Sequence, residues 1–238
     1  NGNTASLIYS VVTGGNSNTA SSARCFIGGG ETNTANASYG TIVGGQSNTA
    51  SGSYSFIGGG DSHTASSDYA TIAGGTSNTA SGQYSSVLGG QFSIANKNYS
   101  SVIGGYGANT RNTNGAVAFA GANTTFGAGS GVALQQARFA ILSKETTDAT
   151  LSILTADGSA SYTNNVLQVA TKSAYLVKGS VIAYSNASDI ARAWEFTAAI
   201  KNTSGTPTLV GTPIINDIAY DSGASGWNLS ITADAGTS

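Results

Sequence analysis

Charge is the scarcest thing in this chain. Of its 238 residues, 9 are Lys or Arg and 11 are Asp or Glu, 8 % in all, where an ordinary soluble domain carries about 25 %. A net charge of −2 offers no positive footprint for a phosphate backbone, which excludes a basic nucleic-acid binder. A single Cys excludes a disulfide scaffold. Disordered linkers combine low hydrophobicity with high charge or abundant Pro; here only 2 residues are Pro and 39 % are apolar. No apolar run approaches the ~20 residues that span a bilayer as a helix, so no membrane insertion is expected. Met is missing altogether, which predicts a processed or excised piece of a longer chain.

What fills the space is small and polar. Gly (33), Ser (34), Thr (28) and Asn (20) make up nearly half the chain. The distribution is uneven. Only Arg24, Glu31, Asp61, Asp68 and Lys97 are charged before residue 108, and both Pro and both Trp lie later. This shift predicts two domains, residues 1–120 and 133–238, around a Gly-rich joint at 121–132.

The first domain is periodic. Gly pairs begin at Gly14, Gly29, Gly44, Gly59, Gly74, Gly89 and Gly104, always 15 residues apart. In the same register run Ala20, Ala35, Ala50, Ala65 and Ala80, and the β-branched column Ile27, Ile42, Ile57, Ile72, Val87 and Val102. A third column is Tyr39, Tyr54, Tyr69, Tyr84 and Tyr99, with Tyr9 before it and Arg24 interrupting. Asn-Thr precedes each Ala, with His63 in one Asn slot. Two or three Gly per copy, at about 1 kcal/mol each, exclude a helix, and 15 residues fall short of a helical repeat pair. The period suits one coil of a β-solenoid with two short strands and two turns. The Gly pair would supply a turn with φ > 0, and Asn-Thr the other corner. Stacking at about 4.8 Å per coil puts like residues above like, with the Ala and Ile/Val columns inside. Such a narrow core barely offsets its ordering cost. Copies are therefore expected to bury further surface against one another, through the Tyr column or through Val11, Phe26 and Phe56.

Tyr54-Ser55-Phe56-Ile57-Gly58-Gly59 and its siblings, each followed by an Asn-Thr-Ala-Ser stretch, resemble the head repeats of trimeric autotransporter adhesins of the Yersinia type, and similar repeats of bacteriophage tail fibres. The resemblance covers about half the chain. It implies a left-handed parallel β-roll, assembled as a homotrimer.

The register persists once more at Asn109, Thr110 and Val117 and then fails; beyond the joint, alternation takes over. Strands are expected at 137–143, 149–155, 166–171, 174–184, 191–201, 208–211, 213–218 and 227–232. Trp194, Phe196, Ala198 and Ile200 share one face by period 2, and Trp194, Phe196 and Trp227 are the expected core. Regular short strands of this kind predict an antiparallel β-sandwich. Stretches such as Ala193-Trp194-Glu195-Phe196 and Gly226-Trp227-Asn228-Leu229 resemble a sandwich module of phage tail fibres and tailspikes.

Chemistry is thin. His63 reads as a corner residue and Cys25 as a small-residue substitution, and neither has a partner for a triad or a metal site. Glu31 and Asp61 share a column two coils apart and read as solvated turn residues. Glu195 should face away from the core, and Asp148, Asp157, Asp217 and Asp221 should sit in turns. The matches at Asn186-Ala187-Ser188 and Asn202-Thr203-Ser204 follow from composition. No enzyme and no cofactor is expected. The expectation is an adhesive fibre segment of a virion or other extracellular appendage, with a host-surface glycan or protein and other fibre or tail proteins as partners. The alternatives are a bacterial trimeric adhesin head, or an ice-binding solenoid built on the Thr-Ala-Ser hydroxyls.

Overall fold

Sequence period becomes vertical stacking in the computed structural model, which describes residues 2–120, 136–140, 173–185, 188–203 and 206–233. Two compact units divide the chain, Asn1–Leu167 and Gln168–Ser238.

The first unit is a parallel β-solenoid. Each coil contributes one two-residue strand to a seven-stranded sheet running from Thr4–Ala5 to Ile94–Ala95. The other short strand joins a second parallel sheet, from Val11–Val12 to Val117–Ala120. Register is 15 residues throughout the regular part: Ala35 lies over Ala50 and Ile42 over Ile57. A third column of parallel bridges links Asn16, Glu31, Gln46, Asp61, Thr76, Gln91 and Tyr106. Each strand N–H donates to the next coil, as from Thr19 to Asn33 (2.8 Å) and from Phe26 to Gly40 (3.0 Å). The ladder thus satisfies the backbone without a helix.

Inside, the Ala and Ile/Val columns are sealed from solvent, Ala20 to Ala95 and Ile27 to Val102. Cys25 is buried in a column of Ser, Gly and Ala, where its Sγ donates to the Ala37 carbonyl. The Asn column is inside as well. Asn33 Nδ2 donates to the Gly29 and Gly45 carbonyls (3.0 and 2.8 Å), while its Oδ1 accepts from the Asn48 N–H (3.0 Å). Asn18, Asn48 and Asn78 repeat the pattern. The Asn-Thr step is therefore not an outer corner. The amide is an internal strut that ties each coil to the next.

Left-handed residues turn the coil at three places. One is the Tyr column with Arg24 (φ 58 to 61), another the Ser/Thr column that includes Ser47 and Ser62 (φ 56 and 60). The third is the second Gly of each pair, Gly15, Gly30, Gly45, Gly60, Gly75, Gly90 and Gly105. The expected turn residues were the first members, of which Gly29, Gly59 and Gly104 also have positive φ (150, 145 and 157), but within the pair the steric demand falls on the second. A Cβ on Gly45 would lie 2.1 Å from the Gly60 carbonyl oxygen, whereas one on Gly44 would meet nothing within 4 Å.

The last coil departs from the pattern. Val117 pairs with Ser101 rather than Val102, and Ala118 takes the core position over Val102. Asn109 bridges Ile94 in the Thr column, and Thr110 is buried. The Asn-Thr pair is thus displaced by one position. Gln136–Phe139, expected within the sandwich, pairs antiparallel with Val117–Ala120 and closes the solenoid sheet.

In the second unit a four-stranded antiparallel sheet is built on Ile190–Asn202. Ser173–Ser185 pairs with its whole length. Pro207–Leu209 and Ile214–Tyr220 share its other edge. Trp194, Ala198 and Ile200 are buried, Phe196 and Trp227 half-buried. Residues 227–232, expected as a strand, form none; the turn that leads into them is held by a side chain. Arg192 donates to the carbonyls of Ala224, Ser225 and Trp227 at 2.6 to 3.1 Å. The strands expected at 149–155 and 166–171, with Asp148 and Asp157, lie outside the described residues.

Candidate functional site

The solenoid presents three surfaces of different chemistry, each a direct consequence of the 15-residue register. On the outer side of the Thr-Ala sheet stand Thr19, Thr34, Thr49, Thr64 and Thr79. Two residues along in each coil, on the same face, come Ser21, Asn36, Ser51, Ser66 and Ser81. Because the intervening Ala points inward, both ranks face out. Among the described residues none of the five Thr hydroxyls has a hydrogen-bond partner, although the neighbouring backbone is fully laddered. The surface is flat, uncharged and free to bond water.

The outer side of the second sheet is apolar by contrast. Val11, Phe26, Val43, Phe56, Leu88, Ile103 and Phe119 remain 37 to 58 % exposed. The Phe26 and Phe56 rings lie against Gly28 and Gly58, where a Cβ would sit 3.4 and 3.5 Å from the ring edge. Thr41 occupies the Phe column between Phe26 and Phe56, and Thr71 follows Phe56, with Val43 and Ala73 two residues along in the same coils. Ser86 and Ser101 continue the same column and bond to each other through their hydroxyls, so the apolar side chains form patches along this face rather than an unbroken strip.

Between these sheets, at the left-handed corner, the Tyr side chains form a pile. Successive rings of Tyr39, Tyr54, Tyr69, Tyr84 and Tyr99 are 4.5 to 5.3 Å apart and within 9° of parallel. Arg24 fills the ring slot below them, its guanidinium 5.2 Å from the Tyr39 ring and 5.6 Å from that of Tyr9. A planar cation is the one charged group that substitutes for a ring in such a pile. Burial within the pile, then the neighbouring phenols, hold the Tyr54 hydroxyl above the ordinary phenol range. Within the pile the ring faces are spent on one another, while edges and hydroxyls remain outside.

Residues singled out for chemistry do not converge. His63 is not at an exposed corner but completely buried in the Asn column. Glu31 and Asp61 do share the bridge column, with Gln46 between them, and are exposed. Glu195 is exposed, as its place in the alternation requires. Asp217 is in a strand rather than a turn and holds Arg192 with both oxygens (3.0 and 2.9 Å). Asp221 accepts the Ala191 N–H. Among the described residues no three His, Cys, Asp or Glu side chains come together as a metal site would need. The Arg192–Asp217 clasp carried no sequence signal, because the two residues sit in different strands and neither repeats.

No protein-family model matches the chain, and neither a curated protein nor a solved structure matches it significantly.

Proposed function

We propose that the chain is a structural and adhesive fibre segment, of a phage tail fibre or a similar extracellular appendage, that works as a homotrimer and attaches to a host cell surface. The observation that carries this reading is the apolar outer side of the second sheet. A monomer seldom leaves so many large apolar side chains uncovered along one face. A solenoid whose regular coils each bury only three or four side chains gains most by covering that face with copies of itself. Three such solenoids joined through the Phe26–Phe56–Leu88 side form a stiff spacer, and the Gln168–Ser238 unit provides the knob or connector. Attachment to a glycan or protein of the host then needs no covalent chemistry, since weak contacts repeated threefold gain from avidity. A bacterial adhesin head shares this physics and is the nearest rival.

Sedimentation of the full chain tests the assembly. A mass three times 23.6 kDa supports it, and V43K in the same surface should reduce that mass. A wild-type monomer removes the trimer.

The unpartnered Thr hydroxyls favour one second reading, an ice-binding surface. Depression of the freezing point below the melting point by the intact protein would support it, and its absence would leave the hydroxyl surface as a plain solvated side.

A further inference from the structure

The geometry points to the tyrosine pile as a site of oxidative cross-linking, in which neighbouring phenols of one chain couple to dityrosine and staple successive coils. Three observations meet here. The rings are co-facial, with Tyr54 and Tyr69 5.0 Å apart and 3° from parallel, and Tyr69 and Tyr84 4.9 Å apart. They are 38 to 63 % exposed, so an oxidant in solution reaches them and each phenol can release its proton to water. The pile is also unbroken over five coils, so an electron vacancy formed on one ring can pass to the next until two vacancies are adjacent. Isolated surface tyrosines lack this last property and must wait for a collision between chains.

The reaction balances with hydrogen peroxide as terminal oxidant and a haem peroxidase as the one-electron carrier. Each of two phenols gives up one electron and its hydroxyl proton. The two phenoxyl radicals join ortho carbon to ortho carbon, after each ring has turned about its Cα–Cβ bond on the exposed side. Each coupled carbon then loses its hydrogen to solvent as a proton while the phenol oxygen takes one back. Two ortho C–H bonds are broken and one C–C bond is made, and peroxide accepts two electrons and two protons to leave two waters. Every atom that reacts belongs to a single chain, so the inference does not depend on the oligomeric state.

The cleavage sites of trypsin make the link readable. Tyr39, Tyr54, Tyr69 and Tyr84 fall in the fragment 25–97, and Tyr99 falls in 98–111 together with Tyr106, which stands outside the pile with its ring edge-on to Phe92. The folded full-length protein is treated with peroxidase and peroxide, quenched, denatured, digested and analysed by mass spectrometry. The expected product is 25–97 joined to 98–111 with the loss of two hydrogens, the link assigned to Tyr84 and Tyr99 by fragmentation. Y84F keeps a ring in the pile but removes the phenol, and should lower the yield of this product at least fivefold. Y99F should do the same, and both variants should keep the far-ultraviolet dichroism of the parent. Absence of the joined fragment from the parent overturns the inference. So does a yield in Y84F equal to the parent's, because Tyr99 would then be coupling outside the pile.

Discussion

His63 Nδ1 accepts a hydrogen bond from the Asn78 N–H at 3.1 Å, in the position where Asn33 Oδ1 receives Asn48 two coils earlier. The imidazole thus takes over the acceptor half of the strut. It does not take over the donor half. Its Nε2, sealed from solvent, faces the Gly75 carbonyl without a hydrogen bond of ordinary geometry. Accepting at Nδ1 requires the neutral ring, and burial holds the pKa below the ordinary 6.5, with the Gly75 backbone, then nearby Asp61, opposing only in part. The sign follows. The unfolded chain takes up a proton as pH falls through about 6.5, and the folded chain does not until lower pH, so stability declines between those points and levels off below them. H63N restores the donor and removes the titration. Thermal melts at pH 8 and pH 5 should show H63N gaining on the parent, with the larger gain at pH 5. Equal gains at both values would mean that His63 does not titrate on unfolding.

The two glycines of a pair should answer differently to the same methyl. Gly45 has φ 92 and the Gly60 carbonyl against it. G45A then bears about 1–2 kcal/mol for the left-handed backbone and about 1–3 kcal/mol for the overpacked methyl. Gly44 has neither burden, and G44A should be neutral or stabilising by up to about 1 kcal/mol through the unfolded chain. Urea midpoints measured side by side check the contrast. Equal loss in both would show that the pair acts as one unit.

These positions also mark where sequence reading stops. The period, the Ala and Ile/Val columns and the strands at 174–184 and 191–201 were legible because stacking forces like onto like and because sheets alternate. The Asn column was misplaced at a corner, since Asn beside Thr, Ser and Gly has the composition of a turn. Its clue was constancy: the column holds Asn3, Asn18, Asn33, Asn48 and Asn78 with only His63 and Ser93 departing, whereas the exposed bridge column changes at every step from Asn16 to Tyr106. The choice between Gly44 and Gly45 had no signal, because it depends on how closely the next carbonyl approaches. Val117 misled because a 16-residue step hides inside a 15-residue pattern. Nothing in the one-dimensional pattern marked Trp227 as backbone held by Arg192.

The Tyr corner sets stacking against backbone strain. Tyr69 has φ 59 and rings on both sides. Each stack contributes about 0.5–1.5 kcal/mol, while a left-handed residue other than Gly costs about 1–2 kcal/mol. Y69F should match the parent, Y69G should lose the stacks but relax the backbone, and Y69A should lose the stacks and keep the strain. Melting temperatures should therefore fall in the order Phe, Gly, Ala. Ala at or above Gly would remove backbone strain from the account.

Arg192 joins three things with one side chain. Its Nε and one terminal nitrogen hold Asp217, the other nitrogen holds three carbonyls from Ala224 to Trp227, and the plane lies 5.3 Å from the Trp194 ring and 4.9 Å from that of Tyr220. Lysine keeps the charge but has no planar fork, so it cannot serve carboxylate and carbonyls together. R192K should leave the central strand intact and free the segment that follows Asp221. Amide exchange at Ala224 and Trp227, whose N–H groups close this turn, should quicken far more than exchange within Ile190–Asn202. The Arg192 hydrogen bonds also hold the Asp217 carboxyl below the ordinary 3.8. A depressed carboxylate contributes above its unfolded pKa and loses that contribution as pH falls through the folded value. Protection of the turn should therefore persist to a lower pH in the parent than the ordinary carboxyl range, and D217N should abolish that dependence. If R192K exchanges like the parent at Ala224 and Trp227, the turn is held by its own backbone and the clasp is incidental.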